Sequence, residues 1–120
     1  MKDEITAAIG AHGRWKAVLL AAIESGTLDT PVDRIERDDD CTFGVWLGGD
    51  SFSPADLESR EYQVVKALHA DFHRAAAKVA RLAHEGKQAE ARKLMAYGGE
   101  FVESSARLTR AMVAWAARVG

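Results

Sequence analysis

Cysteine occurs once in the 120 residues, as Cys41. A single thiol cannot form an internal disulfide, so no covalent staple holds this fold. Proline occurs twice, as Pro31 and Pro54, which leaves long stretches free of helix breakers. Neither sign of charge dominates: 16 Lys and Arg stand against 18 Asp and Glu, a formal net charge of -2. That balance gives no electrostatic footprint for nucleic acid and no basic stripe for a membrane surface. There is no apolar run of about twenty residues to span a bilayer. Nothing at the N-terminus reads as a signal peptide, and the chain has no repeats or low-complexity tracts. These absences predict a protein of a reducing cytoplasm that works without nucleic acid or membrane.

What is present favours helices. Hydrophobic residues make up 48% of the chain, enough for a core, and the strong helix formers Ala, Leu, Glu, Lys and Arg are frequent. The length fits one domain over residues 1–120. From about Asp3 to Ser25, Ile5, Ile9, His12, Leu19 and Ile23 share one helical face, with Gly26 as the stop. Lys16 lies on that face and must reach out to water. Residues 26–40 are polar and read as a connection with one helical turn after Pro31. The stretch "CTFGVWL", residues 41–47, reads as a short helix capped by Asp40, with Phe43, Trp46 and Leu47 on one face. Ser53 and Pro54 open the next helix, predicted to run to about His84 with the apolar stripe Val65, Leu68, Phe72, Ala76 and Val79. After the "HEGK" turn, a last helix is predicted from about Lys87 to Arg118. Its seam of Leu94, Gly98, Phe101, Ser105, Leu108, Met112, Trp115 and Val119 steps by four and three, with Gly98-Gly99 as its weak point. The predicted fold class is all-α: an antiparallel bundle of about four main helices plus the short helix carrying the cysteine.

The chemistry lies in the histidines. His69 and His73 are four apart on one predicted helix, so their imidazoles sit a turn apart on one side, flanking the apolar stripe. His12 belongs to the apolar face of the first helix. Three imidazoles aimed into a core need partners, because each carries two polar nitrogens. A metal ion satisfies one nitrogen of each, and Cys41 can supply a fourth donor. A thiolate at a helix N-terminus is favoured by the helix dipole, while Asp38, Asp39 and Asp40 oppose it. Three nitrogens and one sulfur make a zinc set. Taken singly, each residue has a plainer reading: Cys41 as packing, His12 as a satisfied core histidine, and His84 as a C-terminal cap or a solvent-exposed residue. Trp15, Trp46 and Trp115 read first as core or interface anchors.

Three short motifs carry a family resemblance. "HGRW" (His12 to Trp15), "CTFGVWL" (Cys41 to Leu47) and "HADFH" (His69 to His73) resemble, in order and spacing, the bacterial chemoreceptor zinc-binding (CZB) domain family, over nearly the whole chain. The resemblance implies a helical bundle holding one zinc through His12, Cys41, His69 and His73. It also implies a homodimer, and a regulatory input to partners of the chemoreceptor or diguanylate cyclase type, responding to zinc or to oxidation of the bound cysteine. Such domains usually sit beside a signalling module, which these 120 residues do not contain; the chain is either a free-standing version, the reading favoured here, or a piece cut from a larger protein. Two other readings compete with a sensor. One is a helical dimerisation module with a purely structural zinc. The other is a zinc hydrolase, which the sequence disfavours because Ala70 stands where an HExxH helix has its glutamate. A di-iron bundle lacks its interleaved glutamates.

Overall fold

A computed structural model describes residues 1–28 and 30–119, in which eight helical segments and no strand are found. The amphipathic N-terminal stretch winds into α1 (Lys2–Gly13) and α2 (Trp15–Ser25) rather than one continuous helix. Arg14 between them keeps right-handed angles, φ −72° and ψ −18°, so the joint is a bend. Gly10 and Gly13, weak helix formers, lie in the last turn of α1, just before that joint. The bend leaves the inner face intact: Ile5, Ala8 and His12 on α1, and Leu19, Ala22 and Ile23 on α2, are buried, while Lys16 is exposed. Gly26 ends α2 in the left-handed region at φ 72°.

Next come α3 (Val32–Glu36), one turn after Pro31, and α4 (Thr42–Leu47). Then α5 (Pro54–Glu58) starts as predicted, with a capping box between Ser53 and Asp56. It does not continue to His84. Ser59 turns extended, at ψ 146°, and its hydroxyl accepts from the Tyr62 amide to cap a separate α6 (Arg60–His84). Serine competes for backbone amides in this way, so a second serine six residues after the first restarts the helix. A Ser59→Ala variant should lose about 1 kcal/mol of unfolding free energy, read from urea denaturation.

The last predicted helix is also divided, into α7 (Gln88–Met95) and α8 (Glu100–Val119). Gly98 adopts φ 79°, and a Cβ on Gly99 would overlap the carbonyls of Lys93 and Leu94. The glycine pair therefore terminates a helix. The break resets the seam, so α8 buries Phe101, Ser104, Leu108, Met112, Trp115 and Ala116, while Val119 is exposed.

Ion pairs fix the directions. Lys78 meets Glu100 at 3.1 Å and Glu61 meets Arg118 at 3.1 Å, so α6 and α8 run antiparallel. The Gln88 side-chain amide donates to the Ile23 carbonyl at 2.8 Å, and His12 lies beside His69. The α1–α2 pair thus runs in the same direction as α6, and residues 26–59, with α3 to α5, carry the chain back across the bundle. At its centre α6 packs on α8, α7, α3 and α2, around a core that includes Leu19, Val65, Phe72, Val79, Phe101 and Met112. No helix among the described residues is long and apolar enough to cross a membrane.

Candidate metal centre

α1 packs against α8 and α4, and from there His12, in the last turn of α1, reaches across the interior to His69 and His73 near the middle of α6. All three are buried, at 5%, 1% and 3% exposure. The His12 Nδ1–H donates to the Ala8 carbonyl at 2.8 Å, and the His73 Nδ1–H donates to the Ile35 carbonyl of α3 at 2.8 Å. A carbonyl can only accept, so in both neutral rings the proton sits on Nδ1 and Nε2 presents a bare lone pair. The two lone pairs converge on the third ring: His69 Nε2 is 3.0 Å from His12 Nε2 and 3.1 Å from His73 Nε2. One proton on His69 can satisfy only one of those neighbours.

The fourth donor comes from the crossover. Cys41 is half-buried, and its sulfur lies 3.4 Å from His69 Nε2, 3.5 Å from His73 Nε2 and 3.9 Å from His12 Nε2. All four donor atoms lie within 4.8 Å of one another. In a regular tetrahedron with zinc–nitrogen and zinc–sulfur bond lengths, the edges are about 3.3 Å between nitrogens and about 3.6 Å between nitrogen and sulfur. The three nitrogen–sulfur distances bracket their edge, and the two nitrogen–nitrogen distances fall about 0.2–0.3 Å short of theirs. Together with two imidazoles already oriented by main-chain carbonyls, the four side chains are positioned to hold a tetrahedral metal ion.

Cys41, not Asp40, is the N-cap of α4: its sulfur accepts from the Gly44 amide at 3.3 Å. Asp40 is drawn away to Arg34 at 2.7 Å, and Asp39 to Arg37 at 3.1 Å. Those aspartates, the acidic groups closest in sequence, are not the acceptors for the histidines; that role falls to the Ala8 and Ile35 carbonyls. Main-chain acceptors leave no mark in a sequence, which is why motif reasoning does not find them. The rings are walled by aromatic edges, with Phe43 5.2 Å from His69 and Phe72 5.1 Å from His12, centroid to centroid. His84 ends α6 in solvent, outside this cluster.

Without a metal, burial dominates the electrostatics. Desolvation, then the neighbouring His73 and His12, push His69 down to about 3. Desolvation also lowers His12 and His73, against their backbone hydrogen bonds. Burial raises the Cys41 thiol, and Asp38 adds to the rise, against hydrogen bonds from the amides of Gly44 and Phe43. The native state therefore binds fewer protons on its histidines than the unfolded chain does below pH 6.5. Metal-free protein should be fully stable with respect to these groups above that pH and lose stability as pH falls through it. His69 alone accounts for a loss of about 2 kcal/mol by pH 5. The thiol acts oppositely, its stabilisation fading as pH rises past 9. Urea denaturation of chelator-treated protein between pH 5 and 9.5 checks both limbs.

A family model described as the chemoreceptor zinc-binding domain matches residues 12–80. The match starts at His12, contains all four donors, and stops within α6, so α7 and α8 lie beyond it. No curated protein and no solved structure matches the chain. With more than half of the 120 residues matched and the four donors gathered at one point, the chain belongs to the chemoreceptor zinc-binding domain family.

Proposed function

We propose that this protein is a zinc-binding sensory domain of bacterial signalling, in which His12, Cys41, His69 and His73 hold zinc and Cys41 is the ligand that responds. Zinc, when bound, would keep the Cys41 sulfur as a thiolate. The observation that carries the reading is the unequal mounting of the donors. His12, His69 and His73 are buried on the helices of the bundle, whereas Cys41 is half-buried at the cap of the six-residue α4. Cys41 can leave without unfolding the bundle. An oxidant that transfers oxygen to its sulfur gives a sulfenic acid, and weakens its bond to the metal set.

Release of Cys41 has a route to the opposite helix. Trp46, five residues on, lies 5.6 Å from Phe43, 4.7 Å from Phe52 and 5.8 Å from Trp115 of α8, centroid to centroid. The Tyr62 hydroxyl donates to the Leu47 carbonyl at 2.6 Å, tying the end of α4 to α6. Displacing α4 therefore disturbs an aromatic cluster shared with α8. Hydrogen exchange over residues 38–50 should quicken when zinc is removed; equal exchange in both states would contradict this route.

A regulatory rather than catalytic role is supported by the donor count, since four protein ligands leave no open position for substrate. Dimerisation is supported by apolar residues left in water: Val18 at 46% and Leu20 at 39% on α2, and Val113 at 53% on α8. A homodimer signalling to a chemoreceptor or diguanylate cyclase type of partner in the cytoplasm completes the proposal. Light scattering with and without zinc tests the dimer and its dependence on the metal.

The deciding experiment is metal content per chain by elemental analysis. About one zinc per chain is expected in the unmodified protein, with weakened or lost zinc in Cys41→Ala and His73→Ala. No metal in the unmodified protein, even after zinc addition and dialysis, would sink the sensor reading.

A further inference from the structure

A groove of about 720 Å³ lies between α1 and α4, and of the four donors it reaches two, His12 and Cys41. His69 and His73 are closed off behind them, at 1% and 3% exposure. A thiol is intrinsically the most nucleophilic side chain this protein has, and the half-buried Cys41 is among the residues lining the groove. Its walls are apolar, built from Ala7 and Ala11 on α1, Trp15 at the head of α2, and Phe43 and Trp46 on α4. The charged groups at its rim cancel: Asp3, Glu4 and Asp40 are set against Arg14, the Arg34 partner of Asp40 and the Met1 ammonium partner of Glu4.

Size and polarity select the occupant. A water molecule has a share of about 30 Å³ in the liquid, and a small inorganic oxidant needs little more. Clefts of roughly 300–1,000 Å³ with apolar, aromatic walls and one reactive group hold organic molecules. A rim without net charge gives an ion no advantage over a neutral molecule.

We propose that this groove is a binding site for uncharged, apolar α,β-unsaturated carbonyl compounds of the quinone or enone type, which it delivers to Cys41. In the step itself the sulfur lone pair of the Cys41 thiol forms a bond to the β-carbon of the ligand as its S–H bond breaks. The carbon–carbon π pair moves towards the carbonyl, the proton released by sulfur is relayed through water to the α-carbon, and nothing leaves. No oxidant or reductant is consumed. The sulfur becomes a thioether and ceases to be an anionic donor. The signalling consequence of that loss rests on the zinc-sensor reading above; the binding site does not.

The test compares two maleimides with the same reactive ring. N-phenylmaleimide and N-methylmaleimide are reacted with the purified protein, and Cys41 labelling is followed by mass spectrometry in the folded state and in urea. The folded state should favour the phenyl reagent at least about tenfold more than the unfolded chain does, with a rate that saturates as reagent rises. Ala7→Leu and Ala11→Leu fill the groove from two positions and should each pull that preference down towards the unfolded value. Circular dichroism reports whether each variant remains folded, and either one suffices. A phenyl preference no greater than in urea, no saturation, or insensitivity to both fillings in folded variants would overturn the site. A labelling rate that falls with rising protein concentration would also overturn it, by showing that a second copy occupies the groove. Loss of the preference with zinc content retained refutes the groove alone. A preference intact in a protein that binds no zinc refutes the sensor reading alone.

Discussion

A Gly44→Ala variant is expected to bind zinc about 10- to 100-fold more weakly than the unmodified protein. Gly44 is buried in α4, three residues after Cys41, and a Cβ there would overlap the Asp38 carbonyl and stand 2.7 Å from the Asp38 carbonyl carbon. Backbone cannot swing aside as a side chain does, so the 38–41 segment must retreat from α4. That segment ends in Cys41, whose sulfur is held by the Gly44 amide itself. Overpacking at a buried contact costs roughly 1–3 kcal/mol, and here the strain falls on a metal ligand. Gly48→Ala is the control. A Cβ at Gly48 meets only the Gly44 carbonyl oxygen, at 3.6 Å, an ordinary contact. Its zinc affinity should stay within about twofold. Competition titration with a zinc indicator measures both; equal affinities would show that the tight approach of residues 38 and 44 does not place the thiol.

The second large effect is metal-dependent stability, and its sign reverses in one variant. Free zinc at about 1,000 times its dissociation constant should raise the unfolding free energy by about 4 kcal/mol. Chelation should remove that gain yet leave the helical circular dichroism signal, because the core of Leu19, Phe72, Phe101 and Met112 does not depend on the ion. Complete unfolding on chelation would instead mark the metal as purely structural. His69→Leu abolishes the zinc effect, but without metal it should be the more stable protein, by about 1 kcal/mol or more. The unmodified chain buries an imidazole at 1% exposure beside two bare nitrogen lone pairs. An apolar side chain of similar volume carries no such desolvation cost. A metal-free His69→Leu protein less stable than its parent would contradict the view that the three rings are a cost borne for the metal.

Much of this was legible in the residues. The stripes of α1, α6 and α8, the Gly26 stop and the Ser53–Pro54 start follow from local periodicity and capping, which act over one or two turns. That His12, Cys41, His69 and His73 belong together was legible by residue type and spacing, because few other arrangements account for three inward imidazoles. Helix continuity was less so. The joints at Arg14 and Ser59 each depend on a local contest between helix propensity and glycine flexibility or serine capping. Such contests are close, and the surrounding packing decides them. The N-cap of α4 was misread for a similar reason: Asp40 has the better capping chemistry, but Arg34 claims it.

By itself the sequence determined an all-helical chain, the inner faces of its helices, and the four side chains with metal-binding chemistry, since each of these is written in residue type and period. Tertiary structure alone decided that α1, packed on α8, turns His12 towards the middle of α6, that α4 brings Cys41 to the same point, and that the carbonyls of Ala8 and Ile35 turn two imidazoles to face a third. Those outcomes depend on how distant segments share one core, and on main-chain groups that every residue carries alike. The groove beside Cys41 exists for the same reason: its walls come from α1, α2 and α4, which meet only in the folded chain.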